Sequence, residues 1–466
     1  MAAGIEARHE TQLDDRDERI DGTITFKDAS GAIYGDLINS SMNPDTKGDR
    51  TVYSAYAELA VPIVSPEMNI PFVHNLEAQV AGRYEHYSDF GDIAKPKVAV
   101  AWDLAEGLRL RGSWAQGFRA PNLEQINASI VTRSNSSTDW AYCEALRVTG
   151  AITGLDKCVG ATGGTINSVR IRRNVAEQRA GNPNLKPEES ETLSFGTVIQ
   201  PDFTPANLGD FTITVDWWNI KQTGMVGLFR GQNALTLDYL LRKEGSFNPN
   251  VVRAAPTAQA IALFALTDME AAGEILYVTD RYDNLQPQEV EGVDLGVMWS
   301  LRGTQFGDFS ANLNVSHLLK YYLEPSPQVK ALMDAKANGK IDNAISFSGN
   351  AGDLIRSGGR PEWKWSGSAT WRYQNITVGA YTAYTGSVEQ STLTNPAGQA
   401  WTVDSLITGN LYGEYEWEDG QMAGTAIRVG VRNITNEAPP LAEDGYLGTV
   451  HQPYGRYWYA SVRKSF

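Results

Sequence analysis

The chain has 466 residues and carries 55 Asp and Glu against 40 Lys and Arg, a formal charge of -15. That balance argues against a nucleic-acid binder, whose phosphate contacts need surplus basic side chains. No run of eighteen or so apolar residues occurs, which excludes a membrane-spanning helix but leaves a β-barrel open, because a barrel shows only alternate residues to lipid.

The N-terminus (Met1-Ala-Ala-Gly-Ile-Glu) has neither the basic start nor the apolar core of a signal peptide. From there, extended segments are expected near 2–10, 50–62, 74–87, 95–104, 107–118, 189–200 and 209–221. More follow near 287–302, 308–322, 362–373, 375–386, 402–416, 424–434 and 455–466, about fourteen strands in all. The evidence is period-two alternation. Leu108, Leu110 and Trp114 oppose Arg109, Arg111 and Ser113. Phe211, Ile213, Val215 and Trp217 oppose Thr212, Thr214 and Asp216. Trp363, Trp365, Ala369, Trp371 and Tyr373 oppose Lys364, Ser366, Ser368, Thr370 and Arg372. Strands in soluble sandwiches average about five or six residues, whereas these run about ten, the length a tilted strand needs to cross a bilayer. Aromatic residues gather near strand ends, as in the girdles of a membrane barrel.

The connections alternate in length. Glu106-Gly107, Gln374-Asn375 and 303–307 read as tight turns, whereas 119–188, 222–286, 323–361 and 435–454 are long. Such alternation is expected of a barrel with short turns on one side of the membrane and long loops on the other. Ser326-Pro327 through Asn338-Gly339 reads as a short capped helix, and residues 256–272 read as helical too. Cys143 and Cys158, the only cysteines, suit a disulfide closing a loop in an oxidising compartment; two unpaired thiols in a cytosolic protein are the other reading. The five histidines are scattered, no metal-binding or nucleophile motif occurs, and neither a metal, a cofactor nor an enzyme activity is expected. Most tryptophans fit a girdle. Trp140, in the cysteine loop, and Trp401, before a strand, are the exceptions that suit stacking on a ligand.

Several phrases next to the loops resemble the TonB-dependent outer-membrane receptors. Gly117-Phe118-Arg119-Ala120-Pro121-Asn122-Leu123 looks like the phrase that follows a barrel strand in that family, and Gly181-Asn182-Pro183-Asn184-Leu185-Lys186-Pro187-Glu188 like the one that re-enters the next. Val215 to Ile220, Val290 to Leu295 and Val431 to Asn436 are similar to further strands. Gly455 to Phe466 resembles the terminal strand, in which Trp458, Val462 and Phe466 would form the signal read by the barrel-assembly machinery, with Lys464 a departure. The resemblance implies an all-β, antiparallel transmembrane barrel in the outer membrane of a Gram-negative bacterium, with long extracellular loops carrying short helices. It implies uptake of a scarce small ligand (ferric siderophore, cobalamin or oligosaccharide), energised by the TonB complex acting on a plug domain. No plug is recognisable, and the family's barrels have twenty-two strands. Residues 1–466 are therefore expected to be the C-terminal barrel portion of a receptor, surrounded by outer-membrane lipid.

In that scheme Arg109, Arg111, Arg372, Arg428 and Arg432 line the lumen. Arg119 and Glu124 either contact ligand or only brace the loop base, where Pro121, Pro183 and Pro187 mark the end of strand pairing. Two other classes remain open. A passive outer-membrane diffusion channel would be a smaller complete barrel. A soluble extracellular glycan-binding β-protein would bury its alternate residues between two sheets.

Overall fold

In the computed structural model, which describes residues 1–29, 31, 33–35, 41–158, 165–166, 169–170, 172–201, 205–348, 351–443 and 445–465, a single antiparallel sheet dominates. It opens with β1 (Ala2–Asp14), β2 (Thr46–Val64), β3 (Asn75–Tyr87), β4 (Gly91–Ala105) and β5 (Leu108–Arg119). Strands β6 (Val131–Thr138) and β7 (Arg172–Ala180) lie outside it, and it resumes with β8 (Glu188–Ile199) and β9 (Asp210–Thr223). Strands β10 (Val251–Arg253) and β11 (Ile275–Arg281) also stand apart. The sheet then continues through β12 (Gln288–Thr304), β13 (Gly307–Leu323), β14 (Trp363–Tyr373), β15 (Ile376–Thr385), β16 (Leu406–Trp417), β17 (Thr425–Arg432) and β18 (Tyr457–Lys464). Its strands pair in sequence order from β1 to β18, an up-and-down path of fourteen strands among the described residues.

These strands lie close to the segments that alternation predicts, and the three tight turns stand where expected. Gly107 takes φ +77, a left-handed conformation that glycine adopts without a Cβ clash. Two expectations need correction. The segment 402–416 is not one strand: Ala400–Val403 pairs back with Val388–Thr394 in a separate hairpin, and β16 starts at Leu406. Only Ala258–Phe264 of the segment 256–272 is helical. The Thr267 hydroxyl donates to the Phe264 carbonyl and accepts from the Met269 amide, side-chain bonds that compete with further helical turns. The other expected helix forms over Pro327–Ala337, with the Ser326 hydroxyl capping the Val329 amide at 3.2 Å.

The two faces of the sheet meet different media. On the apolar face Ile5, Val80, Val98, Ile407, Val429, Trp458 and Val462 remain exposed, with Trp458 at 70% and Val462 at 69%. So much uncovered apolar surface is stable only against lipid. The aromatic side chains on this face form two bands. At the turn end, the indole N–H groups of Trp102, Trp299 and Trp371 donate to the carbonyls of Phe72, Leu208 and Phe306, each in a neighbouring connection. Towards the loop end stand Trp217, stacked on Phe195, and Trp365, stacked on Tyr384. Trp363 and Trp371 delimit the bands on β14. Eight residues of strand span about 26 Å, or roughly 20 Å along the membrane normal once tilted, close to the height of a barrel's apolar belt.

Above the loop end, segments from three connections fold together. A four-stranded sheet in the order β10-β11-β7-β6 joins the connection after β5 to the one after β9, with β7 and β11 parallel. The helices are α1 (Leu123–Asn127), α2 (Trp140–Val148), α3 (Gly231–Lys243), α4 (Ala258–Phe264) and α5 (Pro327–Ala337). α2 to α5 pack around Trp140, Leu146, Tyr239, Phe264, Leu332 and Ile345, all at most 2% exposed. The opposite side of α3 sets Ala234 and Leu235 against Val175, Val251 and Val278 of the sheet. This cap therefore has a core of its own. Cys143 and Cys158 are joined by a disulfide within it.

Candidate functional site

Strand register decides which side chains share the polar face. Asp103 stands opposite Arg109, and Arg109 opposite Val198. Arg111 stands opposite Gly196, which in turn stands opposite Asp216. Arg111 reaches over Gly196 to hold Asp216 with two hydrogen bonds of 2.9 and 2.5 Å. A Cβ at position 196 would lie 1.9 Å from the Asp216 carboxylate, so glycine is what allows the ion pair to cross β8. Arg109 binds Asp103 with bonds of 2.5 and 2.8 Å. On the far strands, Arg428 binds Glu414 at 2.8 Å and lies 4.2 Å over the Tyr412 ring, while Arg432 lies 5.7 Å over both Tyr457 and Tyr459. Arg372 is exposed opposite Asp308, and makes no ion pair among the described residues. All five arginines occupy the parity opposite the tryptophan bands, a wall of charges mostly neutralised by neighbours. Exposed pairs of this kind contribute at most about 1 kcal/mol each. Their effect is to keep that face of the sheet polar with little net charge.

The loop-base residues are spread more widely. Arg119 ends β5, with its side chain 69% exposed and bonded at 2.6 Å to the buried Glu188 of β8. Glu124 is exposed on α1, a helix closed by a capping box between Asn122 and Gln125. Gly181 fits against this helix, since a Cβ there would meet the Ile126 carbonyl at 2.5 Å. The two proline-bearing phrases therefore brace each other. Trp401 lies in a different hairpin, where its indole N–H donates to the Leu441 carbonyl at 2.9 Å. Trp140 is corrected as a ligand contact: at 1% exposure it lies inside the cap core and cannot meet a molecule arriving from solution. Trp458 and Val462 project from the apolar face, and Phe466 lies outside the described residues.

The cap also holds charges that sequence reasoning missed. Arg253, 6% exposed, bridges Asp139 at the start of α2 (2.7 and 3.0 Å) and Asp238 of α3 (3.0 Å). Burial opposes its charge, but the two carboxylates keep it protonated. Glu177 of β7 and Asp280 of β11 form a second buried group, at 3% and 4% exposure. Glu177 accepts from the Arg179 Nε (2.7 Å), the Asn135 amide (2.8 Å) and the Gly231 N–H (3.3 Å). Asp280 accepts from the Arg230 N–H at 3.1 Å, and its Oδ2 meets no donor among the described residues. The two carboxyls are close enough to influence each other's protonation. Burial pushes Asp280 up to about 6, with the Glu177 charge adding to the effect. Burial would raise Glu177 too, yet Arg179 and Asn135 hold it below the usual carboxylate range. The spacing of Glu177 and Asp280 in the chain gives no sign of this pair, because it is made by a parallel pairing of strands about a hundred residues apart.

A family model described as TonB dependent receptor-like, beta-barrel, matches residues 5–434. Among curated proteins, the sequence search finds no match. The fold is similar to that of the siderophore receptor PirA from Acinetobacter baumannii, with a TM-score of 0.60 at 16% identity, covering 100% of this chain and 52% of that one. It is also similar to the ferric enterobactin receptor PfeA from Pseudomonas aeruginosa, solved with enterobactin, with a TM-score of 0.56 at 14% identity, covering 99% of this chain and 51% of that one. The chain thus spans about half the length of the solved structures it matches.

Proposed function

The chain belongs to the TonB-dependent receptor β-barrel family, and on that premise we propose that it forms the wall and outer cap of a receptor that takes up a scarce ligand with energy delivered through TonB. Members of this family are transporters of the Gram-negative outer membrane and not enzymes, and the chain is assigned to that membrane. The longer protein would add the plug on which TonB pulls and the strands that complete a twenty-two-stranded wall. The assembly machinery would read the last strand through Trp458, Val462 and Phe466. Arg119, Glu124 and Trp401 stand near the ends of strands, where an entering ligand would pass. A ferric siderophore is favoured over cobalamin or an oligosaccharide because the two solved structures described above are siderophore receptors.

The observation that carries this reading is the cored cap over a two-faced sheet. A passive channel has no need of three co-folded connections with their own buried cluster. The test joins this chain to its upstream plug-coding sequence in a strain starved of iron and lacking its other receptors. Growth on a ferric siderophore that requires both the plug and TonB supports the proposal. Steady conductance from this chain alone, with TonB-independent entry, would instead establish a diffusion channel.

A further inference from the structure

We propose that a cavity at the base of the cap binds a small amphipathic anion, an aryl carboxylate in chemical class, with Arg230 as its charge contact. The inference rests on the receptor reading and names the kind of group that the cap would recognise. The cavity has a volume of about 470 Å³, within the range of small-molecule sites. One part of its lining is apolar, including Phe229 and Leu285. Another part carries Arg179, Arg230, Tyr282 and Gln286.

Three of those polar tips are unengaged. Among the described residues, the Arg230 guanidinium, the Tyr282 hydroxyl and the Gln286 amide make no side-chain hydrogen bond or ion pair. A guanidinium, a phenol and an amide that line one cavity with Phe229 match a flat, negatively charged head on an apolar body. Arg179 is already committed to Glu177 and has further N–H groups to offer.

Arg230 is also held in place at a cost. Its backbone takes φ +73 and ψ 143, a region that residues with a side chain rarely occupy. The Arg230 N–H is fixed by Asp280 and the next N–H, of Gly231, by Glu177. The acid pair thus secures the backbone on either side of the arginine while its guanidinium stays free. A purely structural residue at this position would be glycine, which adopts the conformation without strain.

The test follows 4-fluorobenzoate by fluorine NMR with the full chain refolded in detergent, using 4-fluorobenzyl alcohol as the neutral isostere. Wild type should bind the carboxylate at millimolar concentration and discriminate against the alcohol. Arg230→Gly should fold as well as wild type or better, and lose about tenfold in affinity, the worth of one charged hydrogen bond. Arg230→Lys should recover part of the loss. Equal binding by Arg230→Gly, equal binding of acid and alcohol, or no binding by wild type would each overturn the proposal. Failure of the receptor reading would show separately, as a refolded chain that does not insert into lipid vesicles.

Discussion

Removing the Cys143–Cys158 disulfide should open the cap and leave the barrel wall intact. The cross-link closes a loop with a sequence separation of 15, between cysteines that are 0% and 2% exposed. A closed loop of that size restricts the unfolded chain by about 3 kcal/mol. Other ties of α2 include the Arg253 clasp on Asp139, the Tyr142 hydroxyl bonded to the Ala272 carbonyl and the packing of Trp140 and Leu146, none of which depends on the sulfur bridge. The double variant Cys143→Ala/Cys158→Ala should therefore populate the opened cap about a hundredfold more. Trypsin reads this directly, because Arg147 and Lys157 lie within the cross-linked segment. While reclosing outruns cleavage, the rate follows the opened population. Cleavage between α2 and Cys158 should accelerate about a hundredfold, and fragments from β12 to β18 should remain absent. Unchanged cleavage would refute the reasoning, since helix packing alone would then hold the segment. Simultaneous cutting within the large sheet would refute it in another way, by showing that cap and wall unfold as one unit.

Stability of the cap should decline as pH rises through about 6, because Asp280 holds its proton in the folded protein well above the unfolded value of 3.8. That contribution is fully present below pH 3.8 and lost above about 6; Asp280→Asn should flatten the trend and protect the 228–236 amides at pH 8 by on the order of 2 kcal/mol in hydrogen exchange. No gain at pH 8 would show that the pair is not under charge strain. Val429→Arg, on the apolar face and 51% exposed, should destabilise the inserted protein by about 2–4 kcal/mol in urea titrations in lipid vesicles, and an unchanged midpoint would place that face away from hydrocarbon.

The strands were readable because each side of the wall imposes its own chemistry residue by residue. Lys364 and Trp365 could not exchange places without putting a charge in lipid. Of the cap, α4, α5 and the disulfide were readable, but the rest was not, for reasons its parts make plain. α3 begins at Gly231 with Arg230 in the capping position, where no short polar side chain announces a helix. Its first N–H group is satisfied by Glu177, from another loop. Both sides of α3 are buried, so its apolar residues form no single stripe. Trp140 looked available because nothing near it in the chain reveals that it enters a core shared with helices from two later connections. Asp139 ahead of Trp140, Cys143 and Leu146 was a usable sign of a helix start, although not of its burial. The Arg111–Asp216 pair was half legible: parity put both on one face, but only the register across Gly196 joins them.

α5 comes from the connection after β13, whereas α2 and α3 come from the two long connections before it, so one core is shared by three separate stretches of chain. Trp140, Phe264 and Leu332 shelter one another only when all three connections are in place. A deletion confined to any one connection would uncover apolar side chains contributed by the other two, so the cap tolerates change as a unit and not loop by loop.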